Sequence, residues 1–144
     1  MKIVNRRAYH DYYVLEEFEA GIELTGPEVK SVKKGRINLE GAFVKIKDSQ
    51  AFLFNAHVPP YEFADQRDYE PARTRKLLIH KKEAISLQTK MSRKRLTLVP
   101  LSCYTKIGWI KIKIGLVKGK KEYEKKEAKK RKDLKREMER ELRG

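Results

Sequence analysis

The chain has 144 residues, and its 35 Lys+Arg against 20 Asp+Glu leave a formal charge of +15 at neutral pH. Hydrophobic residues still make up 40%, which excludes a wholly disordered chain, and the longest late uncharged run, residues 96–105, is broken by Pro100 and too short to span a bilayer. A charge excess of this size points to a polyanionic partner, with RNA or DNA ahead of a lipid surface.

Taken in chain order, the N-terminal residues Met1 to Arg7 contain no apolar stretch of signal-peptide length. Residues 12–18 and 22–25 read as a strand pair turning at Ala20-Gly21. Thr25-Gly26-Pro27-Glu28 then has the form of a capping box: the threonine hydroxyl accepts from an orphan backbone N–H, and Glu28 reaches back to the cap. Pro27 in the first turn and Gly35 just past Lys34 fit the asymmetry of helix ends. Ala42, Val44 and Ile46 alternate with Lys45 and Lys47, and Asp48-Ser49-Gln50 leads into Ala51-Phe52-Leu53-Phe54, which predicts a β-hairpin.

Residues 59–71 have no period and read as a loop. A helix is expected over 81–91, where Ala84, Leu87 and Met91 share one face. Leu96 to Val99 and Leu101 to Tyr104 supply more strand, with Pro100 marking a bulge or an edge. Ile110, Ile112, Ile114 and Leu116 alternate with Lys111, Lys113 and Gly115, the pattern of a strand with one wet face. The expected fold is therefore mainly β: a small OB-like antiparallel β-barrel with two or three short helices, with a small α+β sandwich as the alternative.

From Lys118 onward the composition changes. Residues 118–144 carry 13 basic and 7 acidic side chains, a net of +6, which leaves +9 on residues 1–117. The tail holds too little apolar surface to repay its ordering entropy alone. The boundary therefore falls after residue 117: a barrel over 1–117, and a basic tail over 118–144 that is disordered when free and helical on meeting RNA. Tyr123, between Lys121 and Lys125, is placed to stack on an unpaired base.

Catalytic patterns are weak. The three histidines, His10, His57 and His80, lack zinc-ligand spacing, and Gly115 to Lys120 lacks the phosphate-loop spacing. No metal, cofactor or catalytic residue is expected. Cys103 is the only cysteine, so no intrachain disulfide framework exists; between Leu101 and Tyr104 it reads as a small buried hydrophobe. The basic clusters are the stronger signal. Arg73, Arg75 and Lys76, with Lys82 nearby, are expected to line one rim and grip phosphate through guanidinium forks. Lys90, Arg93, Lys94 and Arg95 form a second cluster. Tyr104 and Trp109, among other aromatics, are expected mostly in the core.

Several ordered motifs carry a resemblance that spans nearly the whole chain. They are Asn5-Arg6-Arg7-Ala8, the run Phe18 to Gly26, Glu28-Val29-Lys30-Ser31, Phe52 to Val58, Arg73 to His80, and Lys111 to Lys121. Together they resemble the SsrA-binding protein (small protein B) family. The resemblance implies a monomeric cytoplasmic factor, with no membrane partner and no bond chemistry, that binds the tRNA-like domain of transfer-messenger RNA and accompanies it into stalled ribosomes. It places RNA-binding roles on Glu19, Leu78 and His80. It also implies that the tail enters the decoding centre and the empty mRNA channel, with Lys118, Gly119, Lys120, Lys121, Tyr123, Lys125, Lys126, Lys129, Lys130 and Arg131 as ribosome-contacting residues. Pro27 and the run Glu124-Lys125-Lys126 depart from the family pattern. The competing readings are a structural ribosomal protein or OB-type translation factor, and a small RNA-processing enzyme.

Overall fold

The computed structural model describes residues 1–94 and 96–143, without the side chains of residues 93, 94, 122, 123, 128 and 141–143. Seven strands and four helices follow one another as β1 (Lys2–Val4), α1 (Arg6–Asp11), β2 (Tyr12–Ile22), α2 (Gly26–Lys33), β3 (Phe43–Lys47), β4 (Gln50–Phe54), β5 (Arg75–Leu78), α3 (Lys81–Lys94), β6 (Thr97–Lys106), β7 (Trp109–Gly119) and α4 (Glu122–Arg143). All strand pairings are antiparallel. The sheet order β1-β6-β3-β4-β5-β2-β7, with a further β6–β7 pairing, returns the sheet to its starting edge. Six strands therefore form a ring, and β1 is added outside it along β6.

Side-chain alternation fills the ring. Val44 on β3, Leu53 on β4, Leu77 on β5, and Ile112 and Ile114 on β7 are buried within one core, with Val32 of α2 and Leu87 of α3 closing over it. The predicted capping box is present: Thr25 Oγ1 accepts from Glu28 N–H at 3.3 Å while the Glu28 carboxylate accepts from Thr25 N–H at 2.9 Å. The β3–β4 hairpin closes through Asp48 and Ser49, both at positive φ, the backbone demanded by a two-residue turn that follows strand twist. A register shift on β6 between Pro100 and Ser102 is the bulge that Pro100 announced.

One expected element is different. Residues 12–25 do not fold back at Ala20-Gly21; β2 runs unbroken for 11 residues, paired with β7 from Tyr12↔Gly119 to Gly21↔Lys111. The glycine serves packing instead of turning. A Cβ on Gly21 would sit 3.2 Å from Leu78 Cβ on the neighbouring strand, so the missing side chain eases a close β2–β5 approach.

Outside the ring a second small cluster forms under α1, where Ala8 meets Val99, Leu101 and Val117. Asn5 caps α1 by accepting from Ala8 N–H at 3.2 Å, and its Nδ2 donates to the Leu39 and Pro100 carbonyls at 3.1 and 2.9 Å. One buried side chain thus ties the N-terminus to β6 and to the loop before β3.

Cys103 is buried opposite Ile112, and burial pushes its thiol up to about 12, which keeps it an inert core residue at neutral pH.

Candidate nucleic-acid interface

Because Phe18, Ala20 and Ile22 turn inward on β2, Glu17, Glu19 and Gly21 occupy its outer face. Across from them on β7 lie Gly115, Lys113 and Lys111, so the two glutamates face lysines, and Lys113 Nζ lies 3.6 Å from Glu17. The Tyr104 hydroxyl of β6 donates to Glu19 Oε2 at 2.5 Å, and Lys106 Nζ lies 3.4 Å from both carboxylate oxygens. The Tyr104 bond is the first cause holding the Glu19 carboxyl below the usual range; burial opposes it, and Lys106 and then Lys111 add to the lowering. Burial, then the bond to Glu19, pushes the Tyr104 phenol up to about 12. The pair is therefore a fixed donor and a fixed acceptor. A carboxylate has about four lone-pair sites, and Glu19, 37% exposed, keeps acceptor capacity for a ligand.

Lys106 also begins the β6–β7 turn and pairs with Trp109 across it. Ile107 and Gly108 make the turn at φ 48° and 77°. A β-branched residue at positive φ is strained by about 1–3 kcal/mol. Ile107 is nonetheless 91% exposed and Trp109 73% exposed. Tyr104, Lys106, Ile107 and Trp109 thus form an aromatic and cationic tip beside Glu19. The expectation that the aromatics belong mainly to the core is corrected here: among the described residues no Phe, Tyr or Trp is fully buried, Tyr9, Tyr13 and Phe63 are exposed as well, and the tight turn carries Trp109 past the end of the barrel.

Leu78 joins the same face. It pairs with Gly21, two residues from Glu19, and is 49% exposed, so it is not part of the core. His80 is exposed where the chain leaves β5, and its carbonyl accepts from Ala84 N–H at 3.1 Å to open α3. Lys76 lies half-buried on the outer face of β5, opposite Phe52.

The two arginines behave otherwise. Arg73 and Arg75 do share a side, as alternation predicts, but it is the inner one. Arg75 is fully buried: Nε and Nη2 donate to Glu28 Oε2 at 2.8 and 2.6 Å, and Nη1 donates to the Ala56 carbonyl at 2.9 Å. Arg73 binds the same carboxylate through Nε at 3.1 Å and through Nη2. Tyr69 adds a hydroxyl to Glu28 at 3.1 Å. Burial alone would raise the Glu28 carboxyl, but Arg73, the Thr25 N–H and Arg75 outweigh it and hold it at about 2. The reading of Arg75 as a phosphate ligand is corrected: its donors are committed to a buried glutamate that could not remain charged without them.

The tail begins at the open end of β7. Lys118 and Gly119 finish the pairing with Tyr13 and Tyr12. Lys120 N–H donates to the Asp11 carbonyl at 2.9 Å, and its ammonium lies 5.1 Å from the Tyr13 ring centroid. The Lys121 carbonyl accepts from Glu124 and Lys125 N–H to start α4, and Lys125 Nζ lies 3.7 Å from Asp11. Lys126, Lys129, Lys130 and Arg131 are exposed along that helix. Lys129 faces Arg6 and His10 of α1 across a cleft that also takes in Lys120, Lys132 and Arg136. The side chain of Tyr123, like Arg93, Lys94 and Arg95 of the second cluster, lies outside the described residues.

Sequence reasoning missed Tyr104 and Lys106 as partners of Glu19, and the exposed Ile107 beyond them. The available signal was the dipeptide Ile107-Gly108 between two alternating runs, a hairpin turn that forces its flanking side chains to the surface.

Comparison with known proteins follows the same outline. A family model described as SmpB protein matches residues 2–144. The SsrA-binding protein of Sulfurihydrogenibium sp. is 51% identical over 97% of this chain and 92% of its own length, and that of Shouchella clausii is 50% identical over 94% and 87%. A solved structure described as "tmRNA-SmpB: a journey to the center of the bacterial ribosome" superposes with a TM-score of 0.70 at 44% identity, covering 84% of this chain and 85% of the matched one.

Proposed function

The chain belongs to the SmpB protein family, and on that premise we propose that it is an RNA-binding adaptor of trans-translation. It binds the tRNA-like domain of transfer-messenger RNA and delivers it to stalled ribosomes. It acts in the cytoplasm and makes or breaks no covalent bond.

The observation that carries the reading is the outer face of β2, β5 and the β6–β7 hairpin. There an ionised Glu19, held by Tyr104 and Lys106, stands beside exposed Leu78 and Trp109. A glutamate in a cationic surface discriminates: it accepts from base amino or imino groups, where a lysine cannot. Lys106, Lys111 and Lys113 neutralise phosphates and supply the salt-dependent share of affinity. Leu78 and Trp109 offer apolar and aromatic area to unstacked bases. The division of labour is that of phosphate contacts that position and base contacts that specify.

The tail supplies the second half of the adaptor. No residue after Val117 contributes to either buried cluster among the described residues, so residues 118–144 are free to serve another partner. As a helix of 22 residues, α4 reaches about 33 Å and presents its lysines to the RNA walls of the decoding centre and mRNA channel.

The test is competitive binding at moderate salt. The full chain is expected to hold transfer-messenger RNA against a large excess of tRNA, and equal affinity for arbitrary RNA would exclude the reading. Truncation after Gly119 is expected to keep that binding and to abolish peptide tagging on stalled ribosomes.

A further inference from the structure

The barrel carries a second outward surface that the function above does not use. On β3 and β4 the buried residues are Val44, Ala51 and Leu53, so Phe43, Lys45 and Lys47 face outward on one strand, and Gln50, Phe52 and Phe54 on the other. The register sets Phe43 opposite Phe54 and Lys45 opposite Phe52. Phe43 and Phe54 are stacked, with centroids 5.3 Å apart and planes within 5°. Lys45 Nζ hangs 5.4 Å from the Phe43 centroid and 5.7 Å from that of Phe54. Beyond Phe52 the next outward group is Lys76 of β5.

This arrangement has three properties that a sheet surface kept only for stability does not need. Three phenylalanines stand on the wet side of the barrel, each half-buried, two of them stacked on one another, and all apart from both core clusters. Every charged side chain on the outward positions of β3, β4 and β5 is a lysine. The strip is also continuous with the face already described, because Lys76 is followed two residues later by Leu78 on the same side of β5. A groove of about 360 Å³, lined by Gln50, Lys76, Leu78 and Lys81 with Asp48 at its rim, joins the two.

We propose that the outer face of β3–β4, comprising Phe43, Phe52 and Phe54 with Lys45 and Lys76, is a second RNA-contacting surface that takes an unpaired strand. Aromatic faces accept any base, and flanking ammonium groups follow the phosphates. No carboxylate stands among the outward side chains of β3, β4 and β5, the nearest being Asp48 in the hairpin turn, so this surface is sequence-tolerant where the first is selective. It rests on the chain being an RNA-binding protein and adds a ligand form: a single strand approaching around the barrel from the folded RNA held at Glu19.

Two probes separate the surfaces. For the full-length protein, a 12-nucleotide oligouridylate should lose about tenfold in affinity with Phe52→Leu or Phe54→Leu, while the tRNA-like domain of transfer-messenger RNA is held within twofold. Lys45→Gln with Lys76→Gln should lower the salt dependence of oligouridylate binding by close to two counterions. Thermal midpoints report whether each variant is folded. If the leucine variants fail to fold, photocrosslinking of 4-thiouridine-containing oligouridylate to the wild-type chain decides, and crosslinks at Phe43, Phe52 or Phe54 are expected. Crosslinks absent from β3 and β4, or oligouridylate affinity unchanged in folded variants, would overturn the proposal. So would binding of polyglutamate of equal charge with the same losses, since a bare charge effect needs no rings. Failure of the wild type to select the tRNA-like domain would count against the adaptor reading and leave the oligouridylate result to stand or fall alone.

Discussion

Glu19 and Glu28 are both glutamates in a strongly basic chain, both bound by a tyrosine hydroxyl and by cations, and both held below the usual carboxylate range. Burial separates them. Glu28 is enclosed by Arg73, Arg75, Tyr69 and its own capping-box N–H, and all this bonding joins α2, the 59–74 loop and β5. Glu19 lies on an open face with a flexible lysine and one tyrosine. A paired carboxylate inside a protein is part of its architecture, because losing one partner strands a charge away from water. The same group at the surface adds little to stability and is available for recognition.

The contrast is most severely tested by Glu28→Gln. It leaves Arg75 buried without its counter-charge, and a loss of about 3–5 kcal/mol is expected, read as a fall in the urea midpoint. A loss under about 1 kcal/mol would show that the cluster is not structural. RNA binding should weaken only as far as the folded fraction falls.

Acid sharpens the same point. The Glu28 carboxyl is held at about 2 in the fold against an ordinary 4.5, so as pH falls the unfolded chain takes up that proton first. Its contribution to stability is complete above about 4.5 and is lost progressively towards 2. The slope of stability against pH in that window should flatten in Glu28→Gln.

Glu19→Ala completes the comparison with the smallest structural effect. Stability should change by no more than about 0.5 kcal/mol. Affinity for transfer-messenger RNA should drop about tenfold, the scale of a hydrogen bond to a charged group, with little change for arbitrary RNA. Equal losses for both RNAs would remove its specifying role.

How far these roles could be read beforehand differs by residue. The β7 alternation and the capping box at Thr25 and Glu28 are local patterns, and both stand as predicted. Alternation also placed Arg73 and Arg75 together, but a period of two does not say which side is wet. That was decided by Glu28, distant in sequence and adjacent only once α2 packs on the barrel. Gly21 resembled a turn because a glycine's two uses, reversing the chain and admitting a neighbour, look alike until the neighbour, Leu78, is known. Composition alone predicts a core place for Trp109, because aromatics are usually buried; the positive-φ turn beside it carries it outward. The family resemblance supplied Glu19 and Leu78, whose shared face follows from the pairing of β2 with β5.

The β6–β7 hairpin has a consequence for the order of events in folding. Its strands are neighbours in sequence, so Tyr104, Lys106 and Trp109 are brought together by a local step of the microsecond kind. Glu19 joins them only when β2 finds β7 across most of the chain, a late, high-separation contact. The carboxylate arrives with ring closure, so selective RNA recognition doubles as a report that the barrel is complete.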